Sequence, residues 1–306
     1  MPIPPVVIRL SHAASLLQVD SMFWTVLDLR RDFVIVLIAI CGCSSFGRMS
    51  SLRSIETAMV FQPDKYPAGD WTPDHLDFED ARFEAEDGTK LHGWYVPHSH
   101  PRGVALLCHG NAGNVTGLAE SLRILNEQHR LAVMAFDYRG YGRSSGKPTE
   151  EGILQDARAA RAWLARRTGI AESDIILMGH SLGGAVAVDL AVADGARSLI
   201  LASTFTSLPD VGASHAPWMS PRWNMTMRLD SLSKIHEYHG PILISHGDAD
   251  EVIPFSHGLR LYEAAGEPRL FFREPGGRHN DQRSEKYRVI QFGGQSRPLG
   301  ATAATV

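Results

Sequence analysis

The chain has 306 residues, of which 44% are hydrophobic and 21% charged, with a net charge of -4. This fits one folded domain with a sizeable core, and without a run of Lys or Arg it leaves no electrostatic case for a nucleic-acid partner. The three cysteines offer no disulfide framework and the scattered histidines make no HExxH pair, so neither a metal nor a cofactor is expected.

At the N-terminal end, Arg30 and Arg31 precede an apolar run over 33–40 that meets Cys41-Gly42-Cys43-Ser44-Ser45. The run is shorter than the roughly 20 residues of a membrane span. Basic residues, a short apolar core and small residues after it have the form of a secretory signal, and translation from Met22 would give it a normal leader position. A buried helix or an uncleaved anchor is the rival reading. Ile40-Cys41-Gly42-Cys43 also resembles the lipobox of bacterial lipoproteins. That resemblance implies acylation of Cys43 and, with Ser44 following, an outer membrane; the protein would be membrane-anchored in the cell envelope. The expected organisation is a leader over 1–43, a polar tether over 44–80 that lays one edge segment on the domain, the domain over 81–292, and a polar tail over 293–306.

Strands and helices then alternate. Residues 81–86 and 90–96 flank Asp87-Gly88 as a hairpin. The unbroken apolar run 103–108 reads as a buried strand, followed by the glycine-bearing turn His109-Gly110-Asn111-Ala112-Gly113-Asn114 and a helix over 118–128. A strand over 131–136 leads into the loop 137–146, whose tyrosines and arginines are expected to brace it rather than line a cleft. Thr149 opens a helix through Ala157, Ala160, Trp163 and Leu164. Further strands are expected over 198–202, 241–245 and 269–273. This order implies a mostly parallel sheet covered by helices on both faces, an α/β fold. Residues 204–235 interrupt it with Pro209, Pro217, Pro221, Trp218, Trp223 and several methionines. The stretch suits a small cap over the site that could hold an acyl chain, or a loop packed on its own domain.

The stretch around which the rest is organised is 174–184, an apolar run ending in Gly179-His180-Ser181-Leu182-Gly183 with a helix directly after it. Strand, sharp turn and helix are the context of a G-x-S-x-G nucleophile elbow. A serine hydroxyl is a poor nucleophile until an imidazole takes its proton, and a carboxylate must orient that imidazole. His279 follows the last expected strand. Asp248 and Asp250 follow the one before it and compete for the acid role, with Asp250 preferred because Val252-Ile253-Pro254 leads into a helix. The N–H groups of Asn111 and Leu182 are the expected oxyanion donors.

The Ser181, acid, His279 order and the loops at His109-Gly110-Asn111, 137–142, 246–250 and His279-Asn280 resemble those of alpha/beta-hydrolase serine hydrolases over about residues 81–279. The likeness extends to the membrane-associated alpha/beta-hydrolase-domain subgroup. It implies the alpha/beta-hydrolase fold with a small cap and hydrolysis of a small-molecule ester or thioester through an acyl-enzyme, with amidase or peptidase action as the alternative and a silent binding module ranked last. The family's long final helix is shortened here to about 285–292.

Overall fold

The structure, a computed structural model, describes residues 56–281. The leader, with Cys43 and its expected acylation, and the expected short last helix over 285–292 lie outside the described residues.

Ten strands are present among the described residues: β1 (Gln62–Pro63), β2 (Glu79–Glu84), β3 (Lys90–Val96), β4 (Gly103–Cys108), β5 (Ala112–Gly113), β6 (Leu131–Asp137), β7 (Ile175–His180), β8 (Ser198–Ala202), β9 (Ile242–Gly247) and β10 (Arg269–Glu274). Eight of them form one sheet in the order β10-β9-β8-β7-β4-β6-β3-β2. β2 and β3 pair antiparallel, as do β3 and β6, and the remaining neighbours are parallel. The parallel members run from the β10 edge to β6, where crossover helices cover the sheet, and the antiparallel pairings are confined to the β3–β2 edge. β4 shows the result residue by residue. Val104, Leu106 and Cys108 join one apolar cluster while Ala105 and Leu107 join the other, as the two-residue period of a strand demands.

Among the described residues, the helices that frame the sheet and the insertion are α1 (Ala119–Glu127), α2 (Glu150–Thr168), α3 (Leu182–Asp194), α4 (Leu208–His215), α5 (Pro221–Asn224) and α6 (Phe255–Ala264). The start and stop of α2 are written in its sequence. Thr149 accepts the Gly152 N–H at 3.0 Å, and Gly169 closes the helix at φ 72°. Glu150 and Glu151 in its first turn and Arg166 and Arg167 in its last complement the helix dipole. α2 and α3 pack on one face of the sheet through Ile153, Leu164, Val186 and Leu190, and α1 packs on the other through Leu122 and Leu125.

The stretch before β2 differs from the expected tether. Phe61, Trp71 and Leu76 are buried in the core, and β1 pairs with β5 beside the 109–114 turn rather than with the edge of the main sheet. An apolar residue every few positions was enough to fold this proline-bearing segment onto the domain, although it lacks strand or helix periodicity. Between β8 and β9, the insertion folds as α4, α5 and connecting turns. Glu56 fastens it to the body, its carboxylate accepting the N–H groups of Thr226 and Met227.

Candidate active site

The elbow follows from steric necessity. β7 runs directly into α3, and Ser181 joins them at φ 52° and ψ -119°, a conformation costly for a residue with a side chain. Three glycines permit it. A Cβ on Gly179 would lie 2.3 Å from the Gly183 carbonyl oxygen, one on Gly183 1.9 Å from that of Cys108, and one on Gly184 2.3 Å from Thr204 Oγ1. No larger residue fits while α3 stays against β4 and β7. Hydrogen bonds then hold the strained peptide: Ser181 N–H donates to Ala202 O at 3.0 Å, and Thr204 Oγ1 donates to Ser181 O at 2.8 Å.

The loops after β9 and β10 bring two partners to this serine. Ser181 Oγ lies 3.1 Å from His279 Nε2, and His279 Nδ1 lies 2.8 Å from Asp250 Oδ2. A carboxylate can only accept, so Nδ1 carries the proton and Nε2 is left to accept the serine hydroxyl. All three side chains are buried. The Asp250 loop is self-fastened, with Oδ1 accepting the N–H groups of Val252 at 2.9 Å and Ile253 at 2.8 Å. Burial opposes ionisation of Asp250, but hydrogen bonds from His246, His279 and the Ile253 N–H outweigh it and hold the carboxyl well below the usual carboxylate range.

Asp248, the competing acid, faces another way. Its carboxylate binds Arg273 at 2.7 Å and the Gly276 N–H at 2.6 Å, pinning the start of the loop that carries His279. The turn after β4 borders the serine: a Cβ on Gly110 would sit 3.7 Å from Ser181 Cβ. Asn111 follows, and its carbonyl is held by the Gln62 N–H at 2.9 Å and the Tyr141 hydroxyl at 2.7 Å. Leu182 opens α3, where an N–H has no carbonyl within its own helix to bind. The 137–146 loop braces this turn, with Tyr138 and Tyr141 buried and the Tyr138 hydroxyl donating to His109 O at 3.1 Å.

Two histidines were present in the motifs but had no role assigned from sequence. His246 is buried, and its Nε2 lies 2.9 Å from Ile253 O and 3.3 Å from Asp250 Oδ2. Both are acceptors, so this nitrogen carries the proton and steadies the acid from behind. His180 Nε2 lies 3.0 Å from His279 O and fixes the backbone of that loop. The only sequence signal for either was its place next to a glycine at a strand end. Among the described residues no group of three or more His, Cys, Asp or Glu is placed to hold a metal.

The fold is that of the alpha/beta hydrolases, and comparison with known proteins agrees. Residues 99–234 match the family described as "Serine aminopeptidase, S33". The alpha/beta hydrolase domain-containing protein WAV2 of Arabidopsis thaliana is 35% identical over 68% of this chain and 74% of its own. An uncharacterized protein of Mycobacterium tuberculosis is 37% identical over 83% of this chain and 91% of its own. The chain therefore belongs to the alpha/beta-hydrolase family. Among solved structures, the Pyrococcus furiosus esterase Pf2001 superposes with a TM-score of 0.60 over 78% of this chain and 94% of that one, at 21% identity, a likeness of fold.

Proposed function

We propose that the protein is a serine hydrolase that cleaves carboxylic esters or thioesters of small molecules through an acyl-enzyme. The observation that carries this reading is the 3.1 Å approach of Ser181 Oγ to an imidazole nitrogen whose opposite nitrogen meets a buried carboxylate at 2.8 Å. Ser181 Oγ attacks the acyl carbon while its proton passes to His279 Nε2. Asp250 holds His279 in the required tautomer and balances the imidazolium. The N–H groups of Asn111 and Leu182 receive the charge that develops on the carbonyl oxygen, each on the order of 3 kcal/mol by analogy with other oxyanion holes. The intermediate collapses as Nε2 gives its proton to the leaving alcohol or thiol. Water then loses a proton to Nε2 as it attacks the acyl-serine, and the returning proton frees Ser181 with release of the acid. The steps need only side chains and backbone.

Amide cleavage uses the same groups with an amine as leaving group, and the aminopeptidase description of the matching family favours it as the second reading. A fluorophosphonate probe tests the nucleophile: wild type is expected to be labelled and Ser181→Ala is not. Undiminished labelling of the variant overturns the assignment, and an unlabelled wild type points to a silent binding module. Parallel assays with p-nitrophenyl esters, acyl thioesters and aminoacyl anilides separate the bond classes.

We also infer from the leader sequence that Cys43 carries lipid and holds the enzyme in the cell envelope. Metabolic labelling with an alkynyl fatty acid is expected to mark the wild type and to miss Cys43→Ala.

A further inference from the structure

Large apolar side chains are seldom exposed among the described residues, and the two most exposed share one short stretch of the insertion. Trp218 is 74% exposed and Trp223 89%. Looseness does not put them there, because the backbone that carries them is fully knitted. Met219 N–H donates to Ala216 O, Ser220 N–H to Pro217 O, Trp223 N–H to Ser220 O and Asn224 Nδ2 to Met219 O, all within 3.1 Å. Below them, Pro221 lies so close to Gly212 of α4 that an added Cβ would meet it at 2.9 Å. A well-built turn thus presents two indoles outward, where each forfeits the burial that normally accounts for a tryptophan.

Two more exposed apolar residues belong to segments hydrogen-bonded to the insertion. Met59, 51% exposed, stands three residues beyond Glu56, whose carboxylate is bonded to Thr226 and Met227 just past α5. Val252, 43% exposed, belongs to the Asp250 loop, and its carbonyl accepts His215 Nε2 at 2.7 Å from the end of α4. Arg222 and Arg228 are exposed in the same stretch; Arg222 pairs with Asp210 at 2.8 Å, and Arg228 Nη1 donates to Arg222 O at 3.1 Å. Indoles flanked by guanidinium groups are the side-chain chemistry of a membrane–water interface, where the ring sits at the headgroups and the cation meets phosphate.

We propose that the turn bearing Trp218 and Trp223 docks directly on a lipid bilayer interface. The chain itself supplies an argument for that occupant. It enters the described body at Glu56, fastened beside α5, and Cys43, inferred above to carry lipid, precedes that point by 13 residues. A chain that short reaches at most about 45 Å when fully extended. A lipid on Cys43, on which this step rests, therefore keeps the indoles within reach of the same bilayer. A second copy of this chain is a poor occupant, because two indoles with Met59 and Val252 offer roughly 500 Å², below the about 800 Å² per partner of a stable association.

Brominated lipid reads the position of the rings. The full chain carries six tryptophans, so Trp24→Phe is introduced throughout to silence the leader while leaving it in place. On vesicles of phosphatidylcholine and phosphatidylglycerol brominated at acyl carbons 6 and 7, the Trp24→Phe protein is expected to lose about a third of its emission. Trp24→Phe/Trp218→Phe/Trp223→Phe, whose remaining indoles are Trp71, Trp94 and Trp163, is expected to lose at least about fivefold less. Equal quenching of both proteins, or none of the first, overturns the proposal. So does a dimer, seen by sedimentation, that requires the two indoles and leaves them unquenched on vesicles. Thermal unfolding of each variant confirms that it is folded, and these exposed positions are expected to leave the midpoint in place.

Discussion

The rim of the sheet is held by different chemistry on its two sides. On the side of β4 and β6, the 137–146 loop is fixed by Arg139, which binds Asp156 at 2.8 Å in a buried pair and reaches Asp87 at 2.7 Å. Burial works against the charge on Arg139, and its hydrogen bonds to Asp156 and Asp87 outweigh that penalty. On the side of β9 and β10, imidazoles add to the Asp248–Arg273 pair: His246 behind Asp250, His180 on the His279 backbone, and His257 between α6 and the insertion. His109 belongs to the first side, but burial lowers its pKa and keeps it neutral there. Guanidinium and carboxylate keep their charges across the physiological range, whereas imidazoles do not. One side is therefore held only by groups of fixed charge, and the other also by groups that respond to pH.

The largest expected effect separates the two aspartates of the β9 loop. Asp250→Asn removes the acceptor that sets the His279 tautomer, and activity is expected to fall by about 10^4-fold with the fold intact. Asp248→Asn loses a surface pairing to Arg273 and is expected to change kcat/KM by less than about threefold. A comparable loss from both would erase the distinction between an acid in the site and one bracing the loop. On the fixed-charge side, Asp156→Asn leaves a largely buried guanidinium short of its partner. Stability is expected to drop by about 3 kcal/mol, read as a shift of the urea midpoint, with kcat nearly unchanged in the folded fraction.

His246 gives a smaller effect of a different kind. His246→Leu removes the N–H shared by Ile253 O and Asp250 Oδ2, so the carboxylate becomes a stronger acceptor and a less rigid one. A drop of about tenfold in kcat is expected, with the acid limb of the pH–rate profile moved upward because a more basic Asp250 stabilises the His279 imidazolium. His246→Gln keeps a donor and is expected to recover most of the rate. Loss of stability in the leucine variant without movement of the acid limb would reduce His246 to packing.

The sequence revealed the parts that local rules dictate. Gly179, Gly183 and Gly184 around Ser181 are readable because no other residue permits the close approach of α3 to β7, and strands at 103–108 and 198–202 were set by unbroken apolar runs. Burial of Phe61, Trp71 and Leu76 was not readable, since it depends on where a segment without period meets the rest of the chain. The same holds for His246 and His180, whose partners lie in loops that only the folded sheet brings together. For the insertion, the sequence left acyl-chain holding and ordinary packing equally open. The structure divides its residues instead, with Met227 turned into the core and Trp218 and Trp223 turned out.

A further expected effect falls on the side that holds the imidazoles and needs no catalysis to read. His257 on α6 is buried, with Nδ1 2.9 Å from Thr206 Oγ1, which itself donates to Asp210 Oδ2 at 2.9 Å, and with Nε2 3.3 Å from Ser214 Oγ on α4. Burial lowers its pKa to about 4; Asp210 pulls it upward, and Arg260, His246 and His215 push it down. Loss of solvation in this buried seat disfavours the charged ring. The unfolded chain binds that proton near pH 6.5, and the folded chain only near 4. Between those values the unfolded state holds more protons, so stability is complete above about 6.5 and declines as the pH falls toward 4, at a slope approaching 1.4 kcal/mol per pH unit at most (roughly, for one proton). His257→Gln retains a neutral hydrogen-bonding side chain and is expected to flatten that slope in urea titrations between pH 6.5 and 4.5. Asp156→Asn, by contrast, should lower stability without removing the His257 contribution to the slope. If His257→Gln leaves the pH dependence as steep as wild type, the acid sensitivity of this side must reside in another group, and the contrast between the two halves of the rim loses its thermodynamic content.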